Sequence, residues 1–200
     1  MVVDKIFPTA IGREYYKGSI PEMQDFLSEH SNNVYSCVGN HLTVDTHILD
    51  SEPFIDIKPW IEEQVINYYN EVLSVYDTVK PYITQSWLSF TNQGDWHHAH
   101  IHKNSIISGV FYITANSNND SIVFSKPNTS MFDIGPKEPN SLNTDSWAVP
   151  VSSGTLLLFP SNLMHEVKPH TEKYTRISLA FNTFVKGTLG SDPGLTLLEI

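Results

Sequence analysis

Four of the nine histidines in the chain lie within six consecutive positions, from His97 to His102. Such a density of imidazoles is typical of a metal site, because the neutral imidazole is the commonest side-chain ligand for metals. If this segment is extended, successive side chains alternate between faces, so His98, His100 and His102 share one face and His97 points to the other. Two of these three residues and one ligand from elsewhere in the chain would complete a metal site.

The remaining ligand is predicted to be His165. This residue follows an entirely apolar segment, 155–160, which has the composition of a buried strand, and it comes about sixty residues after His102. A sheet commonly brings strands with such a separation together. His165 is therefore the best candidate for a distal ligand.

Arg176 lies in another segment of strand composition, 175–184. In a strand the side chains of Ser178, Ala180 and Asn182 fall on the same side as the arginine. An arginine that faces a row of small residues needs an anion, and its planar two-pronged donor suits a carboxylate. The pattern predicts an anion site on this strand, with a structural ion pair as the alternative.

The segments that must position these residues are mostly predicted strands. Apolar residues in 59–76 recur at steps of three and four, which predicts one helix that covers a sheet. Elsewhere short β-rich segments alternate with turn clusters, a pattern typical of a sandwich or barrel. The predicted strands are 3–11, 82–91, 108–114, 122–125, 147–151, 155–160 and 175–184. The polar loop 126–145 is predicted to be a mobile lid.

The composition narrows the classes of function. A chain of 200 residues with 40% hydrophobic content is long enough for one domain with a core. Twelve basic against 22 acidic residues give a net charge of −10, so we expect no nucleic-acid partner. The single cysteine, Cys37, excludes an internal disulfide. The sequence has no run of about 18 apolar residues, so we expect no membrane partner. We expect a cytoplasmic protein.

Several of these segments together resemble the 2-oxoglutarate- and Fe(II)-dependent oxygenases. The resemblance covers roughly residues 82–184, and more narrowly it is to small oxygenases of marine bacteria and phages; a phage protein would work in the host cytoplasm. It rests on five motifs in a fixed order, which are His100-Ile-His102, Ser108-Gly-Val-Phe-Tyr112, Gly154-Thr-Leu-Leu-Leu-Phe-Pro-Ser161, His165 and Arg176-Ile-Ser178-Leu-Ala-Phe-Asn182.

The resemblance implies a mainly β fold with flanking helices, a double-stranded β-helix or jelly roll. It implies a single domain over 1–200, with a helical and strand flank at 1–81 and a β-helix core at 82–184. The implied cofactors are Fe(II), 2-oxoglutarate and dioxygen, and ascorbate is a further candidate. The expected activity is that of a dioxygenase that hydroxylates a protein or a small molecule.

The resemblance also assigns roles to residues. It makes His100 the first metal ligand, His165 the distal ligand, and Arg176 with Ser178 the anchor of the cosubstrate's far carboxylate. The family usually has His-x-Asp where this chain has His100-Ile-His102, and a neutral third ligand leaves the iron more positive. The pair His98-Ala-His100 is an alternative register. Further candidates for contacts with the cosubstrate or with the metal ligands are Tyr112, Asn104 and Ser108.

Two other classes of function remain open at this point. A zinc hydrolase or isomerase on a similar scaffold would need a carboxylate base beside the metal, and only Asp95 and Glu166 are near in sequence. A jelly roll that binds metal without catalysis is the other alternative. The remaining histidines His41, His47 and His170 have no partner by spacing, and we expect them at the surface.

Overall fold

The computed structural model describes residues 1–20, 24–126 and 135–200. The larger of its two sheets contains β1 (Gly12–Tyr15), β2 (Val34–Ser36), β3 (His41–Thr43), β4 (Val79–Thr91), β6 (Ile107–Thr114), β9 (Thr155–Pro160), β11 (Arg176–Leu189) and β12 (Leu198–Glu199). The smaller sheet contains β5 (His97–His100), β7 (Ser121–Ser125), β8 (Ser146–Pro150) and β10 (Met164–Val167). The helices are α1 (Gln24–Ser31) and α2 (Lys58–Tyr68), and a π-helical turn, Tyr69–Leu73, extends α2.

All pairings between the named strands of the described residues are antiparallel. The larger sheet has the order β1-β9-β6-β11-β4-β3-β2, with β12 paired to β11, and the smaller sheet has the order β5-β10-β7-β8. The two sheets pack face to face, because one apolar cluster joins Tyr112, Leu157 and Phe159 of the larger sheet to Ile122, Phe124 and Val149 of the smaller. This is the jelly roll that the family resemblance implies, and it agrees with the sandwich or barrel that the strand pattern predicts.

The other face of the larger sheet packs against α2. The alternation of side chains along β11 explains this, since Leu179 and Phe181 join the cluster that contains Ile61 and Val65 of the helix. Gly109 of β6 lies on the same face, and a Cβ at this position would lie 2.0 Å from the ring of Phe181. A glycine is therefore required for the strand to approach that ring.

The structure corrects two predicted elements. The first predicted strand, 3–11, is wrong, because pairing begins only at Gly12, where β1 forms the edge of the larger sheet beside β9. The predicted helix 59–76 ends earlier, and the π-helical turn closes at Ser74 with a left-handed φ of 49°.

Of the predicted lid, 126–145, residues 127–134 lie outside the described residues. In residues 1–20, 24–126 and 135–200, no helix has the length and apolarity to cross a membrane.

Candidate metal centre

Three histidines meet at one end of the space between the sheets. His100 is the last residue of β5, and it pairs directly with His165 of β10. His102 follows two residues later, and its backbone N–H donates to the carbonyl of Ser161 at 2.9 Å. One ring nitrogen of each histidine lies within 4.8 Å of one in each of the other two. The strand pairing therefore brings together the residues that the sequence predicts.

Two of these rings turn Nδ1 to a backbone oxygen. Nδ1 of His100 donates to the carbonyl of His98 at 2.7 Å, and Nδ1 of His165 donates to the carbonyl of Leu163 at 2.9 Å. A carbonyl only accepts hydrogen bonds, so Nδ1 carries the hydrogen and Nε2 keeps its lone pair. This is the tautomer that binds a metal through Nε2.

A polar network holds the third ring, His102. Its Nδ1 lies 2.5 Å from Oδ1 of Asn182 and 3.1 Å from Oγ of Ser108. Ser108 also donates to Asn182 and contacts Ser161, which in turn donates to Ser105. The amide oxygen of Asn182 accepts the Nδ1 hydrogen, so Nε2 of His102 also keeps its lone pair.

The Nε2 atoms of His100 and His102 are only 3.2 Å apart. Since both rings carry their hydrogen on Nδ1, this contact joins two lone pairs and is not a hydrogen bond. Two lone pairs at this distance repel each other unless a cation lies between them. Two nitrogens at adjacent positions of a metal, each about 2.1 Å from it, are roughly 3 Å apart. The spacing therefore fits two ligands of one metal ion.

Burial keeps the three rings neutral, which is the form that binds metal. Desolvation lowers the pKa of His165 from 6.5 to about 3, against the opposing effect of its hydrogen bond to Leu163. Desolvation is also the main cause that lowers the pKa of His100 and of His102. A cluster of neutral donors can accept a metal without first losing protons at neutral pH.

A β-bulge in β5 corrects the prediction for His97. His100 pairs with His165 whereas His97 pairs with Val167, so three steps along β5 match two steps along β10. The bulge places His97 on the same face as His100, and the two rings stack with centroids 4.3 Å apart. The expected separation of His97 from the other histidines was wrong. His98, the alternative ligand, is not part of the trio.

Arg176 is buried at the start of β11, with 4% exposure. Its Nη2 donates to Oγ1 of Thr91 at 3.2 Å, while its Nη1 lies 4.0 Å from Oδ1 of Asp120. Among the described residues its Nε has no hydrogen-bond partner. A guanidinium has five N–H donors, so most of its hydrogen-bonding capacity is free for a further acceptor.

The other predicted site residues differ in position. Ser178 lies two residues after Arg176 on the same face, is buried, and pairs across the sheet with Tyr112. Tyr112 is also buried, and desolvation raises its pKa to about 12, so its hydroxyl remains a donor. Ser108 lies against the ring of His102. Asn104 is exposed in the turn after β5, with a left-handed φ of 56°.

Sequence reasoning missed two buried residues beside Arg176 and one beside the histidines. Asp120 and His170 are 2% and 4% exposed, so the expectation that His170 lies at the surface was wrong. Neither residue has a signal in the sequence, because their contacts join distant segments. Asn182, the partner of His102, did have a signal in the sequence, because it falls in the row of small residues on the same side of β11 as Arg176.

Neither candidate carboxylate base lies free beside the histidines. Oδ2 of Asp95 accepts the backbone N–H of Asn92 at 2.8 Å, which closes the turn before β5. Oε1 of Glu166 forms an ion pair with Lys168 at 2.5 Å, and its strand neighbour His165 points to the opposite side. These contacts give no support to the hydrolase alternative.

The fold and the site define a class: jelly-roll proteins that hold a metal with side chains from between their two sheets. A family model described as "Putative 2OG-Fe(II) oxygenase" matches residues 85–182, which include His100, His102, His165 and Arg176. The matched segment is 98 of the 200 residues, just under half of the chain, and it is similar to the 2OG-Fe(II) oxygenases over the strands that carry these four side chains. No curated protein matches the sequence.

Solved structures show the same fold at low sequence identity. HygX from Streptomyces hygroscopicus, solved with nickel and 2-oxoglutarate bound, is 12% identical, with a TM-score of 0.59 over 88% of this chain and 82% of HygX. A Pseudomonas putida prolyl-4-hydroxylase is 12% identical, with a TM-score of 0.57 over 87% of this chain and 92% of the hydroxylase. The viral collagen prolyl hydroxylase vCPH of Paramecium Bursaria Chlorella virus-1 is 12% identical, with a TM-score of 0.54 over 86% of this chain and 94% of vCPH.

Proposed function

We propose that the protein is a dioxygenase that uses Fe(II) and 2-oxoglutarate to hydroxylate a protein or a small molecule. The overall reaction would consume the substrate, 2-oxoglutarate and dioxygen, and would give the hydroxylated product, succinate and carbon dioxide. When bound, iron and the 2-oxo acid supply the oxidising chemistry, and the protein positions the reacting groups.

The observation that carries this proposal is the contact between the lone pairs of His100 and His102. Their Nε2 atoms and one ring nitrogen of His165 would hold the iron, which is a fit of three nitrogen donors to a metal that accepts imidazole. Three protein ligands leave three positions of an octahedral ion open. Two of these suit a chelating 2-oxo acid, and one suits dioxygen.

Arg176 would bind the far carboxylate of 2-oxoglutarate. The free Nε and the unfilled Nη1 support this role, because a buried guanidinium is stable only with an anionic partner or other acceptors. Ser178 would add a hydrogen bond from the same face, and the Tyr112 hydroxyl would be a further donor in the same space. Asn104 and Ser108 stay weaker candidates, since Asn104 is exposed and Ser108 contacts His102.

The class of hydroxylated substrate stays open between proteins and small molecules. Proteins with similar folds include prolyl hydroxylases from Pseudomonas putida and a chlorella virus, and HygX has been solved with hygromycin B bound. Five further points stay predictions: the subgroup of marine bacteria and phages, the single domain over 1–200, the cytoplasmic location, the use of ascorbate and the lid at 126–145.

The test is turnover of 2-oxoglutarate by protein that has been loaded with Fe(II) without air. We expect succinate to form after dioxygen is admitted, slowly without a hydroxylation substrate and faster with one. Zn(II)-loaded protein and a His165→Ala variant serve as controls and should form no succinate. If Fe(II) binds and succinate stays at the level of the Zn(II) control with and without candidate substrates, the proposal is wrong.

A further inference from the structure

Three buried polar side chains and the half-buried Tyr174 form a cluster where β11 begins. Asp120 precedes β7, His170 and Tyr174 lie in the connection from β10 to β11, and Arg176 begins β11. The side chains of Asp120, His170 and Arg176 are 1%, 2% and 4% exposed. No residue of this cluster is part of the histidine trio, and only Arg176 has a place in the proposed function.

Each ring nitrogen of His170 lies near an acceptor. Its Nε2 lies 2.8 Å from the backbone carbonyl oxygen of Tyr174, and its Nδ1 lies 3.3 Å from Oδ1 of Asp120. Both neighbours are acceptors. A neutral imidazole has one N–H and one lone pair, so it would leave a lone pair facing an acceptor in a buried site. The imidazolium form donates from Nε2 to the carbonyl and places a positive charge at ion-pair distance from the carboxylate.

Asp120 is held by several donors that come from different segments. Its Oδ2 accepts the backbone N–H of Asn116 at 2.8 Å and the hydroxyl of Tyr174 at 2.5 Å. Desolvation and this carboxylate raise the pKa of Tyr174 to about 12, so the phenol stays protonated and remains a donor. The contact with Nδ1 of His170 completes the set on Oδ1.

Arg176 is the group that Asp120 does not fully bind. The 4.0 Å between Nη1 and Oδ1 exceeds a hydrogen-bond distance, and Oδ1 already faces His170. With a protonated His170, the cluster contains two cations and one anion, a net charge of +1. The excess positive charge lies on the guanidinium that faces the space between the sheets.

We propose that His170 and Asp120 are positioning residues for the cosubstrate arginine. Asp120 orients the guanidinium of Arg176, and protonated His170 neutralises Asp120, which leaves the arginine free for the far carboxylate of the 2-oxo acid. Without the charge on His170, Asp120 would draw Arg176 into a direct ion pair and compete with the cosubstrate. This inference rests on the proposed function, because it assumes that Arg176 binds 2-oxoglutarate.

The binding experiment titrates 2-oxoglutarate into Mn(II)-loaded protein by calorimetry, for the wild type, His170→Gln, Asp120→Asn and the double variant. We expect His170→Gln to weaken binding by about tenfold to a hundredfold, the usual effect of a lost hydrogen bond to a charged group. The double variant should recover much of this loss, because the competing carboxylate is gone. A merely structural role would make the two changes additive. His47→Gln, at an exposed histidine, is the matched control.

The outcomes separate the two proposals. Wild-type affinity in His170→Gln, or weaker binding in the double variant than in His170→Gln, would overturn the positioning role. Wild-type protein that binds Mn(II) but not 2-oxoglutarate would instead overturn the proposed function. Nitrogen NMR of labelled histidines in the wild type tests the charge on His170, and this measurement does not depend on the folding of any variant. We expect both ring nitrogens to be protonated at neutral pH, and a neutral ring would refute the inference.

Discussion

Replacement of Arg176 is expected to abolish tight binding of 2-oxoglutarate while leaving metal binding intact. The arginine is 4% exposed and makes one hydrogen bond among the described residues, to Thr91, so its removal disturbs few protein contacts. Asp120 keeps its donors from Asn116, Tyr174 and His170 in the variant. We therefore expect Arg176→Ala to fold.

The size of the effect follows from the burial of the site. In Arg176→Ala the far carboxylate would enter a buried space with no cation from β11 and with Asp120 nearby. Breaking a buried ion pair by removal of one partner costs about 3–5 kcal/mol. At about 1.4 kcal/mol for each factor of ten, this is a loss of roughly a hundredfold to a few thousandfold in affinity. Arg176→Lys keeps the charge but loses the two-pronged geometry, so its loss should be smaller, about tenfold.

The assay is calorimetric titration of 2-oxoglutarate into Mn(II)-loaded protein, with the metal content measured beforehand. His165→Ala is the opposite control, because it should lose the metal and the cosubstrate together. Both arginine variants should bind Mn(II) as the wild type does. Wild-type affinity for 2-oxoglutarate in both variants would refute the reasoning and would leave Arg176 as a structural partner of Asp120.

Two further predictions concern the metal ligands. Asn182→Ala removes the acceptor of the His102 ring and should lower metal affinity by about tenfold to a hundredfold, as measured by competition with a chelator. Asn67→Ala on α2 is the control. Equal metal affinity in the two variants would contradict the role of Asn182. The metal-free protein should lose stability as pH falls from 6.5 towards about 3, because the unfolded chain protonates His165 more readily than the folded chain. At pH 5 the loss from His165 alone is about 2 kcal/mol, at about 1.4 kcal/mol for each pH unit below 6.5, and urea unfolding at pH 7 and pH 5 should show it. A slope that persists unchanged in His165→Asn would refute this assignment.

The sequence predicted the parts of the site that depend on local alternation. Strand 155–160 was predicted with its observed bounds, Thr155–Pro160, because Leu156–Phe159 are all apolar and turn residues flank the segment. The alternation along β11 correctly placed Ser178 and Asn182 on the side of Arg176 and Leu179 on the side of the helix. Such patterns depend only on the two-residue repeat of a strand.

The errors lie where the answer depends on pairing between distant segments. His97 was placed on the wrong face because a bulge shifts the alternation, and that bulge exists only in the pairing of β5 with β10. His170 was predicted at the surface because its partners, Asp120 and Tyr174, are set by the packing of the β10–β11 connection onto the start of β7. Such contacts leave no periodic signal in the sequence.

The histidine at position 102 fits the charge of the whole proposed pocket. With three neutral ligands the iron would keep its full charge of +2, whereas a carboxylate ligand in place of His102 would reduce it to +1. At the other end, Arg176, Asp120 and a protonated His170 would together carry +1. A 2-oxo dicarboxylate brings one negative charge to each end. In a chain with a net charge of −10, both ends of this space would thus be positive, and the departure from His-x-Asp would strengthen the attraction for a dianionic cosubstrate.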